Sequence, residues 1–173
     1  YLCKKYMFTK VKELAHSLGI STILEGTNAD DLKQYRPGIK AIKELGLHSP
    51  LLEANMTKKE IRELAAAYDL KAANKPSSPC LATRFPYHTL LNYEEMRKVE
   101  KIEDYLHACG FYNVRARIHN DLVRLEIDQD AFMKCMDYSQ EIVLFIKELG
   151  YDYVTLDLEG FRSGSQDIKL EEK

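Results

Sequence analysis

The sequence predicts an α/β protein, with helices around a mostly parallel sheet in the first half and a small α+β domain in the second half. Two observations support this fold class. Amphipathic helical segments alternate with short apolar runs in the first half. An αββαβ order follows, and a two-residue turn joins its two central β-runs, which predicts a three-stranded antiparallel sheet with helices on one face.

The composition limits the classes of partner that the chain can have. With 45% hydrophobic residues the chain can bury a core, and its net charge of −2 does not favour nucleic acid or a membrane surface as a partner. No apolar run approaches the roughly 18 residues of a membrane span, and no signal peptide opens the chain. We therefore expect a cytoplasmic protein. The chain begins at Tyr1 rather than Met, so we expect a fragment of a longer protein.

The first half contains three predicted helices and one β-type run. Apolar residues recur at helical spacing before Gly19, namely Phe8, Val11, Leu14, Ala15 and Leu18. Residues 22–25 form the β-type run, and a second helix over 38–45 ends at Gly46. Thr57 and Glu60 have the spacing of a capping box, which predicts a third helix after them.

A polar loop follows the β-type run, where ligands bind in parallel sheets. Glycine lets a ligand approach the backbone, Thr and Asn can hydrogen-bond it, aspartates can hold Mg²⁺, and arginine can bind phosphate. The alternative is an ordinary turn with Asp as a helix N-cap. The candidate ligand-binding residues are Gly26, Thr27, Asn28, Asp30, Asp31 and Arg36.

A proline-stiffened loop carries Cys80, with Arg84 four residues later. A cation close to a thiol favours the reactive thiolate. The alternative is a buried structural cysteine beside a salt-bridging arginine. Of the other cysteines, Cys109 and Cys135 fall on helical patterns and fit a core, whereas Cys3 has chemically suggestive surroundings.

The second half opens with an amphipathic helix that carries Met96, Val99, Ile102 and Leu106. A further helix over residues 132–149 and a third strand over 154–158 follow the hairpin. The segment 160–165, rich in Gly and Ser and containing an Arg, fits an anion-binding turn or a flexible terminus.

The Asn120-Asp121 turn fixes the register of the hairpin. The predicted pairs are His119 with Leu122, Arg117 with Arg124, and Arg115 with Glu126. Alternation puts Val114, Ala116, Ile118, Val123, Leu125 and Ile127 on an apolar face. It puts Arg115, Arg117, His119, Arg124 and Glu126 on the other face.

The polar face of the hairpin predicts an anion site. Arg117 opposite Arg124 costs stability unless negative charge lies between them, and Glu126 offsets only part of this charge. The alternative is a solvated basic face. Glu126 itself is a candidate metal ligand or the partner of Arg115.

The motifs together resemble those of the LarE-type proteins, which are ATP-dependent sacrificial sulfur transferases of the PP-loop pyrophosphatase superfamily. The matching segments are residues 26–31, 35–38, 49–53, 79–84 and 159–165. The resemblance implies that residues 1–75 are the C-terminal part of a PP-loop (adenine nucleotide alpha hydrolase-like) parallel-sheet domain. It implies a catalytic-loop linker at 76–92, an α+β domain at 93–165 and a charged tail at 166–173.

The resemblance also implies a reaction in the biosynthesis of the nickel-pincer nucleotide cofactor. ATP, with Mg²⁺, adenylylates a carboxylate of a pyridinium dicarboxylate mononucleotide, and a thiolate at Cys80 attacks it. The candidate loop at residues 26–36 is then the ATP site. Arg84 assists catalysis, while Arg115, Arg117 and Arg124 hold the phosphate or carboxylate of the substrate. Members of the family tend to assemble into homo-oligomers.

The source of the sulfur stays open at this point. In the sacrificial type, the matching cysteine gives up its own sulfur. In another type, a four-iron four-sulfur cluster held by three cysteines carries the transferable sulfur, and Cys3 and Cys80 would be two of its ligands. The position of Cys3 favours the cluster type.

Two departures from the family pattern qualify the resemblance. The N-terminal pyrophosphate loop is absent from this sequence, so we expect this chain alone to turn over little, and Thr83 stands where the family usually has Ser. Two alternatives to the main function stay open, a PP-loop tRNA thiolase and a non-enzymatic binding or assembly module.

Overall fold

The computed structural model describes residues 1–34 and 36–162. The chain forms two compact units, Tyr1–Lys75 and Pro76–Lys173. None of the helices within the described ranges is long and apolar enough to cross a bilayer.

The first unit is built from helices. They are α1 (Leu2–Ser17), α2 (Gly38–Leu45), α3 (Pro50–Glu53) and α4 (Lys58–Ala67), with 3-10 turns at Ala29–Lys33 and Lys71–Asn74. Gly46 ends α2 with φ 68°, and the Thr57 side chain caps α4 in a reciprocal box with Glu60. The three helices predicted for this half are confirmed.

The apolar stripe of α1 is mostly exposed. Ala15 is its buried residue, whereas Leu14 and Leu18 are 61% and 65% exposed. Helix α1 packs against α2, where Gly38 allows a close approach: a Cβ at this position would lie 2.8 Å from Cδ of Lys4. The helix that the spacing predicts is therefore confirmed, and its apolar stripe lies mostly outside a core.

Residues 22–25 do not form a full strand. Leu24 forms an isolated parallel bridge with His48, and His48 N donates to the Ile23 carbonyl at 3.1 Å. Within the described residues of the first unit, the predicted parallel sheet is reduced to this single bridge.

The second unit is an α/β domain with a three-stranded sheet. Its elements are α5 (Tyr93–Ala108), β1 (Val114–His119), β2 (Leu122–Ile127), α6 (Phe132–Asp137), α7 (Ser139–Glu148) and β3 (Tyr153–Leu156), with strand order β1-β2-β3. Helices α5 and α7 bury Val99, Ile102, Leu106, Ile142 and Ile146 in the same core as the apolar face of the sheet.

The predicted hairpin register and the sorting of its faces are confirmed. The pairs run from Val114 with Ile127 to His119 with Leu122. Asn120 takes a left-handed backbone with φ 59°, which Asn tolerates better than most residues. Every apolar residue predicted for the core-facing side is buried.

The sheet is mixed, and the prediction of an antiparallel third strand was wrong. Strand β3 pairs in parallel with β2, in the register Leu122 with Tyr153 through Leu125 with Leu156. The connection between these strands passes through α6 and α7, and such a helical crossover returns the chain in the original direction.

The crossover also corrects the single helix predicted over residues 132–149. Helix α6 ends at Asp137 and α7 begins at Ser139, with Tyr138 between them at φ −94° and ψ 11°. Asp and Ser compete with helical hydrogen bonds through their short polar side chains, which favours a break at this point.

Candidate functional site

Cys80 is exposed on a loop of the second unit. It directly precedes a short 3-10 helix, Leu81–Arg84, and its own backbone is extended, with φ −52° and ψ 137°. Its carbonyl oxygen accepts hydrogen bonds from Thr83 N at 3.0 Å and from Thr83 Oγ1 at 2.8 Å. The exposure of the thiol rules out the alternative of a buried structural cysteine.

Arg84 anchors this loop from within the protein, since it is only 2% exposed. Its Nη1 donates to the carbonyl oxygens of Pro79 at 3.3 Å and Cys80 at 3.4 Å, and to Thr83 Oγ1 at 2.8 Å. The hydrogen bond that joins Arg84 to Cys80 therefore ends on the carbonyl oxygen. The sequence suggested that the Arg84 guanidinium would lie at the thiol. In the structure its described hydrogen bonds to the loop hold the main chain and the Thr83 hydroxyl.

Glu103, on α5, is a site residue that the sequence reasoning missed. Its two carboxylate oxygens accept from Arg84 Nε and Nη2, each at 2.7 Å, and Oε1 also accepts from Ala116 N on β1 at 2.9 Å. The carboxylate thus ties the Cys80 loop to a helix and to the edge of the sheet. A signal was present, because Glu103 lies four residues after the buried Val99 on the apolar stripe, where a charge needs a partner.

Replacing Glu103 by Gln is expected to loosen the loop locally. The amide would present an NH₂ group to one donor nitrogen of Arg84, so one charge-assisted hydrogen bond would be lost. Trypsin needs a free arginine side chain, and we expect cleavage after Arg84 to accelerate about tenfold. Time-resolved peptide mapping measures this rate.

The matched control for this prediction is Glu100→Gln, an exposed carboxylate on the same helix. It should leave the cleavage rate after Arg84 unchanged. Equal rates in wild type and Glu103→Gln would show that Glu103 does not hold the loop.

Arg115 and Arg117, on β1, also hold the loop through its carbonyls. Arg115 Nη2 donates to the Ser77 carbonyl at 2.5 Å, and Arg117 Nη1 donates to the Thr83 carbonyl at 2.6 Å. Proline has no N–H group, so this loop has few backbone donors of its own. Arginine side chains from the sheet donate to its carbonyl groups instead and hold them in place. The structure thus brings Cys80 together with Arg84 and both predicted substrate-binding arginines of β1.

Arg115 forms no ion pair within the described residues. Its second described hydrogen bond ends on the Val114 carbonyl, and its guanidinium lies 4.9 Å from the ring centroid of Phe161. Burial, followed by repulsion from Arg84, lowers the pKa of Arg115 to about 10, so it stays charged at neutral pH. Among the described residues, its hydrogen bonds end on main-chain carbonyls rather than on carboxylates.

Arg117 and Arg124 share Glu126, which is fully buried. Arg117 Nη2 donates to Glu126 Oε2 at 3.0 Å, Arg124 Nη2 donates to Oε1 at 3.2 Å, and Arg124 Nη1 reaches Asp157 Oδ2 at 2.9 Å. The sequence leaves two roles open for Glu126, a metal ligand or the partner of Arg115. Its described ion pairs are with Arg117 and Arg124, and Arg115 lies opposite it in the register. The polar face is a buried ionic network, so the alternative of a solvated basic face was also wrong.

The segment after β3 covers this network. Gly160 has φ 71°, and a Cβ there would meet the Ile127 carbonyl oxygen at 3.0 Å, so this turn requires glycine. The turn returns Phe161, whose N–H donates to the same carbonyl at 2.8 Å, onto the arginine face. Of the predicted anion-binding turn, Ser163–Ser165 lie outside the described residues.

The polar loop of the first unit is a capped 3-10 turn. The Asn28 side chain accepts from Asp30 N at 3.0 Å, and Asp31 Oδ2 accepts from Asn28 N at 3.0 Å. Asp30 accepts from Lys58 N at 2.9 Å, and Arg36 lies 3.0 Å from Asp31. This geometry resembles the predicted structural alternative, but Asn28 rather than an Asp is the cap.

Glu25 is a second residue that sequence reasoning missed. Its carboxylate accepts from Thr27 N at 3.1 Å and Thr27 Oγ1 at 2.8 Å, and it also accepts from Ser49 Oγ. It holds the start of the loop, so Thr27 is buried and already engaged. Space around Gly26 is open, with nothing within 4 Å of a Cβ built there.

The two cysteines predicted as cluster ligands lie in different units of the chain. Cys3 is exposed on α1 of the first unit, and Cys80 is exposed in the second unit. Within residues 1–34 and 36–162, no group of three or more His, Cys, Asp or Glu side chains could hold a metal ion.

Sequence comparisons place the chain among known proteins, although no family model matches it. It is 39% identical over 166 residues to an uncharacterized protein of Synechocystis, a match that covers 95% of this chain. It is 37% identical over 170 residues, 98% of its length, to the pyridinium-3,5-bisthiocarboxylic acid mononucleotide synthase of Lactiplantibacillus plantarum. It is 31% identical over 163 residues, 94% of its length, to an uncharacterized protein of Methanocaldococcus jannaschii.

These matches cover less of the relatives than of this chain. The chain spans 62% of the length of the Synechocystis and Lactiplantibacillus proteins, and 64% of the archaeal protein. Over nearly its whole length the chain is thus similar in sequence to a pyridinium-3,5-bisthiocarboxylic acid mononucleotide synthase, and the resemblance to the LarE-type proteins that its motifs predict is confirmed.

Proposed function

We propose that this chain carries the sulfur-transfer part of an ATP-dependent sulfur transferase that makes the precursor of the nickel-pincer nucleotide cofactor. The similarity to the Lactiplantibacillus synthase carries this proposal, since that protein's name states a product with two thiocarboxylic acid groups. An exposed Cys80 on an anchored loop supports it, because a thiol is the natural protein carrier of sulfur.

The proposed reaction begins with activation of a carboxylate of the pyridinium dicarboxylate mononucleotide. A carboxylate oxygen attacks the α-phosphorus of ATP, pyrophosphate leaves, and an acyl adenylate forms. The Cys80 thiolate then attacks the acyl carbon and AMP leaves, which gives a thioester. Loss of the Cα proton of Cys80 and cleavage of its Cβ–S bond release the thiocarboxylate and leave dehydroalanine.

The two units divide this work in the proposal. The loop at Gly26–Asp31 and Arg36 bind ATP with Mg²⁺, as part of a PP-loop parallel-sheet domain, and the second unit binds the mononucleotide. The carboxylates of Asp30 and Asp31 accept hydrogen bonds from protein donors in the structure, and their remaining lone pairs would hold Mg²⁺. The proposal includes a homo-oligomer, as the resemblance implies.

Arg115 is the proposed anchor for the phosphate or carboxylate of the substrate. Replacing it by Gln is expected to weaken binding of the pyridinium dicarboxylate mononucleotide about tenfold, because a charge-assisted hydrogen bond to the anion is lost. Isothermal titration calorimetry measures the affinity.

Arg97→Gln, at an exposed arginine on α5, is the matched control and should bind the mononucleotide as wild type does. Arg124→Gln should have a smaller effect than Arg115→Gln, since Arg124 is already bound to Glu126 and Asp157. Unchanged affinity in Arg115→Gln would remove Arg115 from the binding site.

One experiment tests the proposed reaction directly. The protein is incubated with ATP and the mononucleotide, and its intact mass and visible spectrum are then recorded. Loss of about 34 Da, the mass of hydrogen sulfide, supports sulfur donation by Cys80. An unchanged mass with an iron-dependent absorption band supports the cluster type, with Cys3 and Cys80 as ligands. Product formation with neither signal contradicts both routes.

The two alternative functions have less support. A tRNA thiolase would need an excess of Lys and Arg for phosphate contacts, and the net charge is −2. The Lactiplantibacillus relative is named a synthase, which favours an enzyme over a non-enzymatic binding module.

A further inference from the structure

The carbonyl group of Cys80 is surrounded by hydrogen-bond donors. Its oxygen accepts from Thr83 N at 3.0 Å, from Thr83 Oγ1 at 2.8 Å and from Arg84 Nη1 at 3.4 Å. One of these donors is the backbone of the 3-10 turn, one is a hydroxyl and one is a buried cation. A peptide carbonyl that accepts from a backbone N–H, a hydroxyl and a guanidinium nitrogen is polarised toward negative charge on its oxygen.

We propose that these donors form an oxyanion hole for the elimination step at Cys80, with Thr83 and Arg84 as catalytic residues. This inference rests on the proposed function, in which the Cβ–S bond of Cys80 breaks. Removal of the Cα proton moves an electron pair toward the adjacent carbonyl and gives an enolate. The donors stabilise the negative charge on that oxygen, and the pair then forms the Cα=Cβ bond as sulfur leaves with the Cβ–S electrons. The proton passes to a solvent base, to which Cys80 is exposed.

The donors are held rigidly, which is what an oxyanion hole requires. Both carboxylate oxygens of Glu103 fix the Arg84 guanidinium at 2.7 Å, so its third nitrogen is aimed at the loop. Arg84 Nη1 also donates to Thr83 Oγ1 at 2.8 Å, which leaves the hydroxyl proton for the Cys80 carbonyl. The hydroxyl therefore acts as a relay that adds part of the arginine's charge to the same oxygen.

The elimination step can be tested without ATP or substrate. A bis-alkylating dibromide, 2,5-dibromohexanediamide, converts an exposed cysteine into a cyclic sulfonium, which then loses the Cα proton and leaves dehydroalanine. Excess reagent is removed after alkylation, and peptide mapping follows the conversion of the sulfonium at each cysteine. Cys3, exposed on α1, is the internal reference. We expect Cys80 to eliminate about tenfold faster than Cys3, because one charge-assisted hydrogen bond contributes roughly this factor.

Thr83→Val removes the hydroxyl and keeps the shape of the side chain, and it is expected to lower the elimination rate at Cys80 about tenfold toward that of Cys3. Thr83→Ser keeps the hydroxyl and should eliminate at the wild-type rate. A role of Thr83 in loop structure alone would change alkylation of Cys80 but not the later elimination. Equal elimination rates in wild type and Thr83→Val would overturn the proposal.

A second measurement separates this inference from the proposed function. In the protein with ATP and the mononucleotide, Thr83→Val should accumulate the Cys80 thioester, seen as an added mass, while dehydroalanine forms slowly. Fast elimination at Cys80 with the dibromide, together with sulfur transfer that does not need Cys80, would leave the oxyanion hole intact and overturn the proposed function. Slow elimination at Cys80 with the dibromide, together with sulfur transfer that needs Cys80, would overturn the oxyanion hole and leave the proposed function intact.

Discussion

Cys80→Ser is expected to abolish sulfur transfer to the pyridinium dicarboxylate mononucleotide. A serine hydroxyl can attack an acyl adenylate only weakly, and an ester formed there carries oxygen, so the thiocarboxylate cannot arise from it. The loop should keep its geometry, because its anchors bind the carbonyl oxygens of Pro79, Cys80 and Thr83 rather than the thiol. Product analysis by mass spectrometry, with ATP present, measures the transfer.

The controls separate Cys80 from the other cysteines. Cys135→Ser, at a buried position, tests whether loss of any thiol has the same effect, and transfer should persist there. Cys3→Ser should leave transfer unchanged if Cys80 gives up its own sulfur, and should stop it if both cysteines hold a cluster. Transfer at the wild-type rate in Cys80→Ser would contradict both readings of Cys80.

The predictions from sequence that the structure confirms rest on local patterns of residues. The hairpin register follows from the two-residue turn at Asn120-Asp121, and alternation then decides the face of every residue in both strands. The capping box of Thr57 and Glu60 and the left-handed Gly46 are likewise decided within a few residues. These features could be predicted because each depends on neighbours in the chain.

Pairing between distant residues could not be predicted in the same way. Arg84 and Glu103 are 19 residues apart, and Arg124 and Asp157 are 33 apart, so nothing in the local pattern matches these partners. The prediction counted charges on the hairpin alone and left three guanidiniums against one carboxylate. Tertiary contacts add Asp157 to this face and leave Arg115 as the guanidinium whose described hydrogen bonds end on carbonyls.

The direction of β3 follows from the way it is connected to β2. The sequence order β2, helix, helix, β3 is a crossover connection, and such connections favour parallel strands. Alternation in Val154 and Leu156 indicated a strand but holds no information on its direction. In the structure β3 pairs in parallel with β2, and Asp152 N and Tyr153 N at the start of the pairing both donate to the Asp121 carbonyl.

The ionic network around Glu126 leads to the largest expected effect on stability. Glu126→Gln is expected to lower the free energy of unfolding by about 3–5 kcal/mol, the usual cost of removing one partner from a buried ion pair. The register places Arg117 directly opposite Arg124, and Glu126 binds both, so its neutralisation leaves two cations facing each other across the strands. Urea denaturation followed by circular dichroism measures the change.

Glu159→Gln is the matched control, since the Glu159 side chain is 69% exposed and pairs with Arg162 at the surface. Its effect should stay below about 1 kcal/mol, because solvent screens exposed ion pairs. Adding Arg124→Gln to Glu126→Gln removes one of the two opposed cations and should recover part of the lost stability. If Glu126→Gln and Glu159→Gln unfold at the same urea concentration, Glu126 does not stabilise the arginine face. The positions of Arg115 and Arg117, and with them the anchoring of the Cys80 loop, would then need another source.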